Sequence, residues 1–163
     1  MENMSMREAM HERHTVRRYT DKAIPAETMK KLRGRIDDNN KKYDLAIRLM
    51  VDDTNAFNAA VKLVLAKGVR NYFILAGRDV PDLDERLGYS SADLMLYAQT
   101  LGLNTWWVGG TFNRKKVSVM VPDVKVIGVV AVGYGAVQGI PHKTKTSEEV
   151  SSYKGEMPDW FRS

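Results

Sequence analysis

No cysteine occurs anywhere in this chain. That excludes a disulfide framework, a thiolate metal site and a cysteine nucleophile. Histidine is nearly as scarce. His11, His14 and His142 lie far apart with no partner four residues away on a helix, which argues against a zinc site. Long hydrophobic runs are missing too. Residues 1–10 carry Glu2, Arg7 and Glu8 and have no apolar centre of signal-peptide length, and no later run is long enough to span a bilayer. The expectation is a soluble, cytoplasmic protein with no membrane partner. Also absent are a G-x-S-x-G elbow, a Walker loop and a G-x-G-x-x-G fingerprint, so hydrolase and nucleotide-kinase readings lose support. The pairs Asp37-Asp38 and Asp52-Asp53 read as helix-end and capping carboxylates, not as an acid/base pair. No internal repeat is visible. A chain of 163 residues with 44% hydrophobic content fits one domain spanning residues 1–163 around a continuous core.

What is present in excess is positive charge: a formal net +5 and a pI near 9.4. The charges are spread along the chain, so they favour an anionic ligand or surface partner without marking where it binds.

The pattern of apolar residues predicts mixed helices and strands. Ser5 can cap a short helix ending at Glu12, and residues 13–23 read as a loop. Pro25 suits the first turn of a second helix with Met29, Leu32 and Ile36 on one face, ended by residues 37–40. Leu45, Ile47, Leu49 and Val51 alternate with less apolar neighbours as in a strand buried on one face. Residues 52–54 offer caps for a helix carrying Phe57, Val61 and Leu65, and Gly68 stops it. Residues 69–76 form a second strand. After a turn through Pro81 and a short helical piece before Gly88, residues 89–101 are the strongest helix, capped by Ser90 or Ser91 and buried on most sides. Gly102 follows where a left-handed cap belongs. Residues 105–109 form a short aromatic strand, Asn113 caps a basic helix through Met120, and residues 126–132 have the composition of a central strand buried on both faces. The late apolar cluster Met157, Trp160 and Phe161 is expected to pack on something, such as another subunit.

Three stretches can carry chemistry. In Arg13-His14-Thr15-Val16-Arg17-Arg18-Tyr19, alternate residues of an extended chain share a face, so Arg13, Thr15 and Arg17 can converge on one anion. Arginine supplies a planar fork and threonine a short hydroxyl, a combination suited to phosphate. A solvated basic turn explains the same residues. In Trp106-Trp107-Val108-Gly109-Gly110 the glycine pair lets a ligand approach the main-chain NH groups closely, or simply makes a tight turn. The two tryptophans alternate, so at most one faces a given pocket. In Pro141-His142-Lys143-Thr144-Lys145, alternate lysines in an extended loop can reach one anion, or solubilise a tail.

Taken in this order and at these separations, the three stretches resemble the nitroreductase family of FMN-dependent flavoproteins, and within it a short bacterial branch. The resemblance rests on Arg13-His14-Thr15-Val16-Arg17, on a buried helix running into Gly102-Leu103-Asn104-Thr105, on Leu87-Gly88-Tyr89, on Trp107-Val108-Gly109-Gly110, and on Gly133-Tyr134 leading to Lys143 and Lys145. It implies an α+β fold, a mainly antiparallel central sheet flanked by helices, in a homodimer with FMN near the subunit interface. It implies that Arg13 and Thr15, with the adjacent His14, grip the flavin phosphate and that Lys143 and Lys145 close over it. Arg17 is expected nearer the ring, where a cation stabilises the reduced flavin. Gly109 and Gly110, flanked by Trp107 and Val108, match positions whose backbone NH groups face flavin N5 and O4. The activity implied is hydride transfer from NADH or NADPH through N5 to a nitroaromatic, quinone or similar small-molecule acceptor, with no catalytic side chain and no metal. One departure stands out. The family's Pro-Ser turn followed by Asn and Gln-Pro-Trp has no clear match between Leu32 and Leu49, where Asn39 or Asn40 is a loose candidate. Two other readings remain open: a flavin-binding protein of this fold with little turnover, and a basic nucleic-acid-binding module using Arg17, Arg18, Tyr19 and the tryptophan pair. The resemblance implies no nucleic-acid partner.

Overall fold

The run from Lys125 to Gly133 forms the longest strand and stands inside the sheet, with Val129, Val130 and Ala131 fully buried. A continuous apolar run is what burial on both faces demands. The computed structural model describes residues 4–64, 66–141, 145–152 and 154–155. Its elements are α1 (Met6–Glu12), α2 (Ala26–Tyr43), β1 (Arg48–Met50), α3 (Ala59–Val64), β2 (Tyr72–Gly77), α4 (Leu83–Thr100), β3 (Asn104–Val108), α5 (Arg114–Met120), β4 (Lys125–Gly133) and α6 (Ser147–Val150). The four strands pair antiparallel in the order β1-β2-β4-β3, as expected for an α+β protein with a mainly antiparallel sheet flanked by helices.

Alternation along the strands divides the core between the two faces of the sheet. Phe73, Leu75, Val130 and Val132 pack with Leu32 and Ile36 of α2 and with Leu83, Leu87, Leu94 and Ala98 of α4. Tyr72, Ile74, Val129, Ala131, Trp106 and Val108 face the other way, under Phe57, Phe112 and Val117 of α5.

Local signals explain most element ends. Ser5 and Glu8 form a reciprocal capping box at α1. Gly102 takes a φ of 75° after α4, and the Asn113 side chain accepts from the Lys116 NH to start α5. Where the expected bounds differ, a tertiary partner is the reason. Helix α2 runs on past residues 37–40 to Tyr43, because Asn39 and Asn40 spend their amides on distant groups instead of terminating the helix. Asn40 accepts from the Ile47 NH at 2.8 Å and donates to its carbonyl at 2.9 Å. Both ladder groups of Ile47 are thereby occupied, and β1 shrinks to three residues.

Helix α4 begins at Leu83, so the short helical piece before Gly88 and the helix expected from residue 89 are one element. Leu83 and Leu87 extend the buried stripe of Leu94 and Ala98 by two turns, so Ser90 and Ser91 lie inside the helix and do not cap it. Helix α3 begins later than expected. Asp53 is engaged by Tyr72 and Asn55, and the Asn58 side chain accepts from Val61 instead. Phe57 therefore precedes the helix, and Leu65 lies outside the described residues. So do Met157, Trp160 and Phe161.

Candidate functional site

The Arg13–Arg17 stretch is built onto the sheet at the start of β3. Thr15 forms a parallel bridge with Thr105, and the Val16 NH donates to the Thr105 carbonyl at 3.2 Å. Tyr19 then pairs antiparallel with Gly135, just beyond the end of β4, and its hydroxyl donates to the Ala131 carbonyl. Val16 and Tyr19 are the buried residues of this segment; burial pushes the Tyr19 hydroxyl far above its ordinary range, with the nearby Arg13 charge opposing in part. The apolar pair is the anchor and leaves the cations free. Among the described residues, neither Arg13 nor Arg17 has a carboxylate partner. Arg17 lies over the Trp106 ring, 5.5 Å from its centroid.

The segment after β4 returns to the same place. The Asn104 side chain accepts from the Gly135 NH at 2.9 Å and donates to Gln138 at 3.1 Å. Gly139 has a φ of 87°, and a β carbon there would stand 2.5 Å from His14 Cβ. This close approach requires glycine. The structure thus brings the chain that leads toward Lys145 against His14. Lys145 is exposed, and Lys143 lies outside the described residues.

Four residues further along β3, roughly 13 Å at ordinary strand rise, the chain reaches Gly109 and Gly110. Space around the Gly110 α carbon is open, whereas the β position of Gly109 is filled by Trp107. The tryptophans part company as expected: Trp106 is core, stacked on Phe57 with centroids 6.1 Å apart, and Trp107 is 41% exposed. Val108 is buried in the core, so only its backbone can meet a ligand.

These residues suit a molecule with an anion at one end and a flat ring at the other. The donor set at the Thr15 end is cationic, and no carboxylate among the described residues pairs with it. Thr105, wholly buried beside Thr15, also has a side-chain hydroxyl with no hydrogen-bond partner among the described residues. Such a group ordinarily finds one. The ring end offers backbone without side-chain cover at Gly110. FMN fits this description.

Asn39 and Asn40 do not belong to the site. Asn39 donates to Asp93, as does Arg35, and Asn40 is tied to Ile47. Burial alone would raise the Asp93 carboxyl, but the hydrogen bonds from Arg35 and Asn39 hold it below the usual range. A separate cleft of about 120 Å3, lined by Lys22, Asp52, Arg70 and Tyr134 among others, includes none of the expected contact residues. The Gly139–His14 contact and the Thr105 hydroxyl escaped sequence reasoning. Both depend on which segments meet in space, and a glycine in a polar loop carries no sign of what it will touch.

Among the described residues, no helix is long and apolar enough to cross a membrane and no group of three His, Asp or Glu residues is placed to hold a metal.

Comparison with known proteins agrees with this architecture. A nitroreductase family protein from Clostridium difficile has 20% identity and a TM-score of 0.68 over 94% of this chain and 100% of its own. An Exiguobacterium sibiricum protein described as a putative nitroreductase, solved in complex with FMN, has 14% identity and a TM-score of 0.69 over 93% of this chain and 98% of its own. One from Desulfovibrio desulfuricans, also with FMN, has 14% identity and a TM-score of 0.68 over 94% and 99%. No protein of curated function matches. The family model described as Putative TM nitroreductase matches residues 5–163, and with nearly the whole chain covered, this protein belongs to that nitroreductase family.

Proposed function

We propose that this chain is one FMN-binding domain that acts, as a cytoplasmic homodimer, as an NADH- or NADPH-dependent oxidoreductase. Its acceptor is a nitroaromatic, a quinone or a similar small molecule. The observation that carries the reading is the Thr15–Thr105 bridge, which sets Arg13 and Arg17, with no carboxylate partner among the described residues, toward one end of β3 while Gly109 and Gly110 stand at the other.

Arg13, Thr15 and His14 would hold the phosphate, with Lys143 and Lys145 approaching from the loop after Gly139. Arg forks and short hydroxyls bind phosphate oxygens through charge-assisted hydrogen bonds. Arg17, held over Trp106, would set a positive charge beside the ring. The main-chain NH groups at Gly109 and Gly110, next to Trp107 and the backbone of Val108, would orient its N5 edge. Bound FMN supplies hydride chemistry of its own, so the protein contributes position and charge and needs no catalytic dyad.

Freshly purified protein should be yellow, and anaerobic NADH or NADPH should bleach the flavin absorbance. Retained flavin that neither nucleotide bleaches would support the alternative, a flavin-binding protein with little turnover. The commitment of Asn39 and Asn40 to structural bonds favours that alternative. The nucleic-acid reading is weakened because the tryptophan pair presents one exposed ring, not two.

A further inference from the structure

Trp107 faces away from Trp106, on the side of the sheet shared with Val130, its direct partner on β4. Its indole lies against two glycines from two adjacent segments. A β carbon on Gly109 would stand 2.5 Å from Cζ3 and 3.0 Å from Cη2 of the ring, and one on Gly128 would stand 3.3 Å from Cζ2 and 3.4 Å from Cη2. The six-membered part of the indole therefore rests on bare backbone at both places. The side chain is nonetheless 41% exposed, so it is supported from beneath and open to solvent.

The missing side chain at Gly109 thus serves Trp107, while Gly110 keeps the open approach. A fixed aromatic ring with a free surface loses little side-chain freedom when a second ring covers it. Indole is the most electron-rich of the side-chain rings, and its negative face favours electron-poor rings and cations.

We infer that Trp107 is a stacking platform for an electron-poor planar ring at the glycine end of β3. The inference rests on the proposed function for the source of that ring, which is either the acceptor or the flavin itself. In both cases Trp107 selects by electron demand, and Gly109 and Gly128 hold it in place.

The test uses full-length Trp107→Leu, Trp107→Phe and Gly109→Ala proteins, each checked for folding by circular dichroism. Gly109 does not have a positive φ, so alanine is tolerated by the backbone but pushes the indole off its seat. FMN affinity is read by ultrafiltration. Binding of 4-nitrobenzyl alcohol, with benzyl alcohol as the control that lacks the electron-withdrawing nitro group, is read by calorimetry on flavin-free and flavin-loaded protein. Trp107→Leu and Gly109→Ala should each weaken one electron-poor ligand by about tenfold, as loss of one stacked ring does elsewhere. Trp107→Phe should retain most of the affinity. Loss confined to FMN assigns the stacked ring to the flavin; loss of the preference for the nitro compound assigns it to the acceptor. If Trp107→Leu leaves FMN affinity and the nitro preference both unchanged, the platform is wrong. If wild-type protein binds no FMN yet prefers the nitro compound through Trp107, the platform stands and the flavin reading falls.

Discussion

Thr105 is the residue at which structure and site meet most directly. Its carbonyl holds the Arg13–Arg17 stretch to the sheet while its hydroxyl is buried without a partner among the described residues. An unsatisfied buried hydroxyl costs about 1–3 kcal/mol. Thr105→Val keeps the branched shape and removes the polar atom, so it should stabilise the flavin-free protein by about 1 kcal/mol in a urea melt. If the hydroxyl contributes to the phosphate end, the same variant should lose FMN affinity several-fold. A variant less stable than wild type would show that the hydroxyl has a partner in solution. Arg13 acts in the opposite sense. It pairs with no carboxylate among the described residues, so Arg13→Ala should leave the melt nearly unchanged. It should weaken FMN by roughly tenfold to a hundredfold, the range of a charge-assisted hydrogen bond. Flavin titration monitored by absorbance checks it.

Among the elements, α2 and α4 are joined by one polar knot. Arg35 makes a two-pronged contact with Asp93 at 2.8 and 2.5 Å, and Asn39 donates to the same carboxylate at 2.9 Å. Because the folded-state pKa of Asp93 is lowered, the stability it contributes is fully present above the unfolded pKa of about 3.9 and is lost as pH falls through the folded value. Asp93→Asn should therefore destabilise by about 1–2 kcal/mol at neutral pH, a modest figure because the Arg35 side chain is 39% exposed. The gap should close as pH falls through the folded value; a gap independent of pH would mean the charge is irrelevant. This knot also shows where sequence reading stops. The buried run of β4, the Asn113 cap and the Gly102 cap were legible because each depends on residues near in sequence. Asn39 and Asn40 were read as a helix end since asparagine competes with helical hydrogen bonds, and only the packing of α4 and β1 against α2 reverses that preference. The continuity of α4 through Gly88 was hidden for a related reason: Gly88 looks like a break, and the buried stripe across it is decided by the sheet beneath. The site divides in the same way. The basic stretch and the glycine pair were visible as local patterns, but that Gly109 makes room for Trp107 was not.

For the molecule as a whole, the excess of positive charge acquires a direction once the fold is known. The chain carries +5 overall, and the Arg13–Arg18 stretch sits at one edge of the sheet, where among the described residues β3 has no further strand partner beyond Thr15. Exposed cations attract a dianion over about one Debye length, near 10 Å at 0.1 M salt and 3 Å at 1 M. If the phosphate is gripped there, FMN should bind more tightly than riboflavin at low salt, and the advantage should shrink as salt rises because only the phosphate feels the screened field. Riboflavin affinity, set by the ring end at Gly109 and Gly110, should change little. Arg13→Ala should lower the FMN advantage at every salt concentration and flatten its salt dependence, since one contributing charge is gone. Parallel titrations of FMN and riboflavin at 0.05 and 0.5 M salt decide the matter. Equal affinities for the two ligands at low salt would place the phosphate outside the basic edge and leave only the ring end of the site to account for flavin binding.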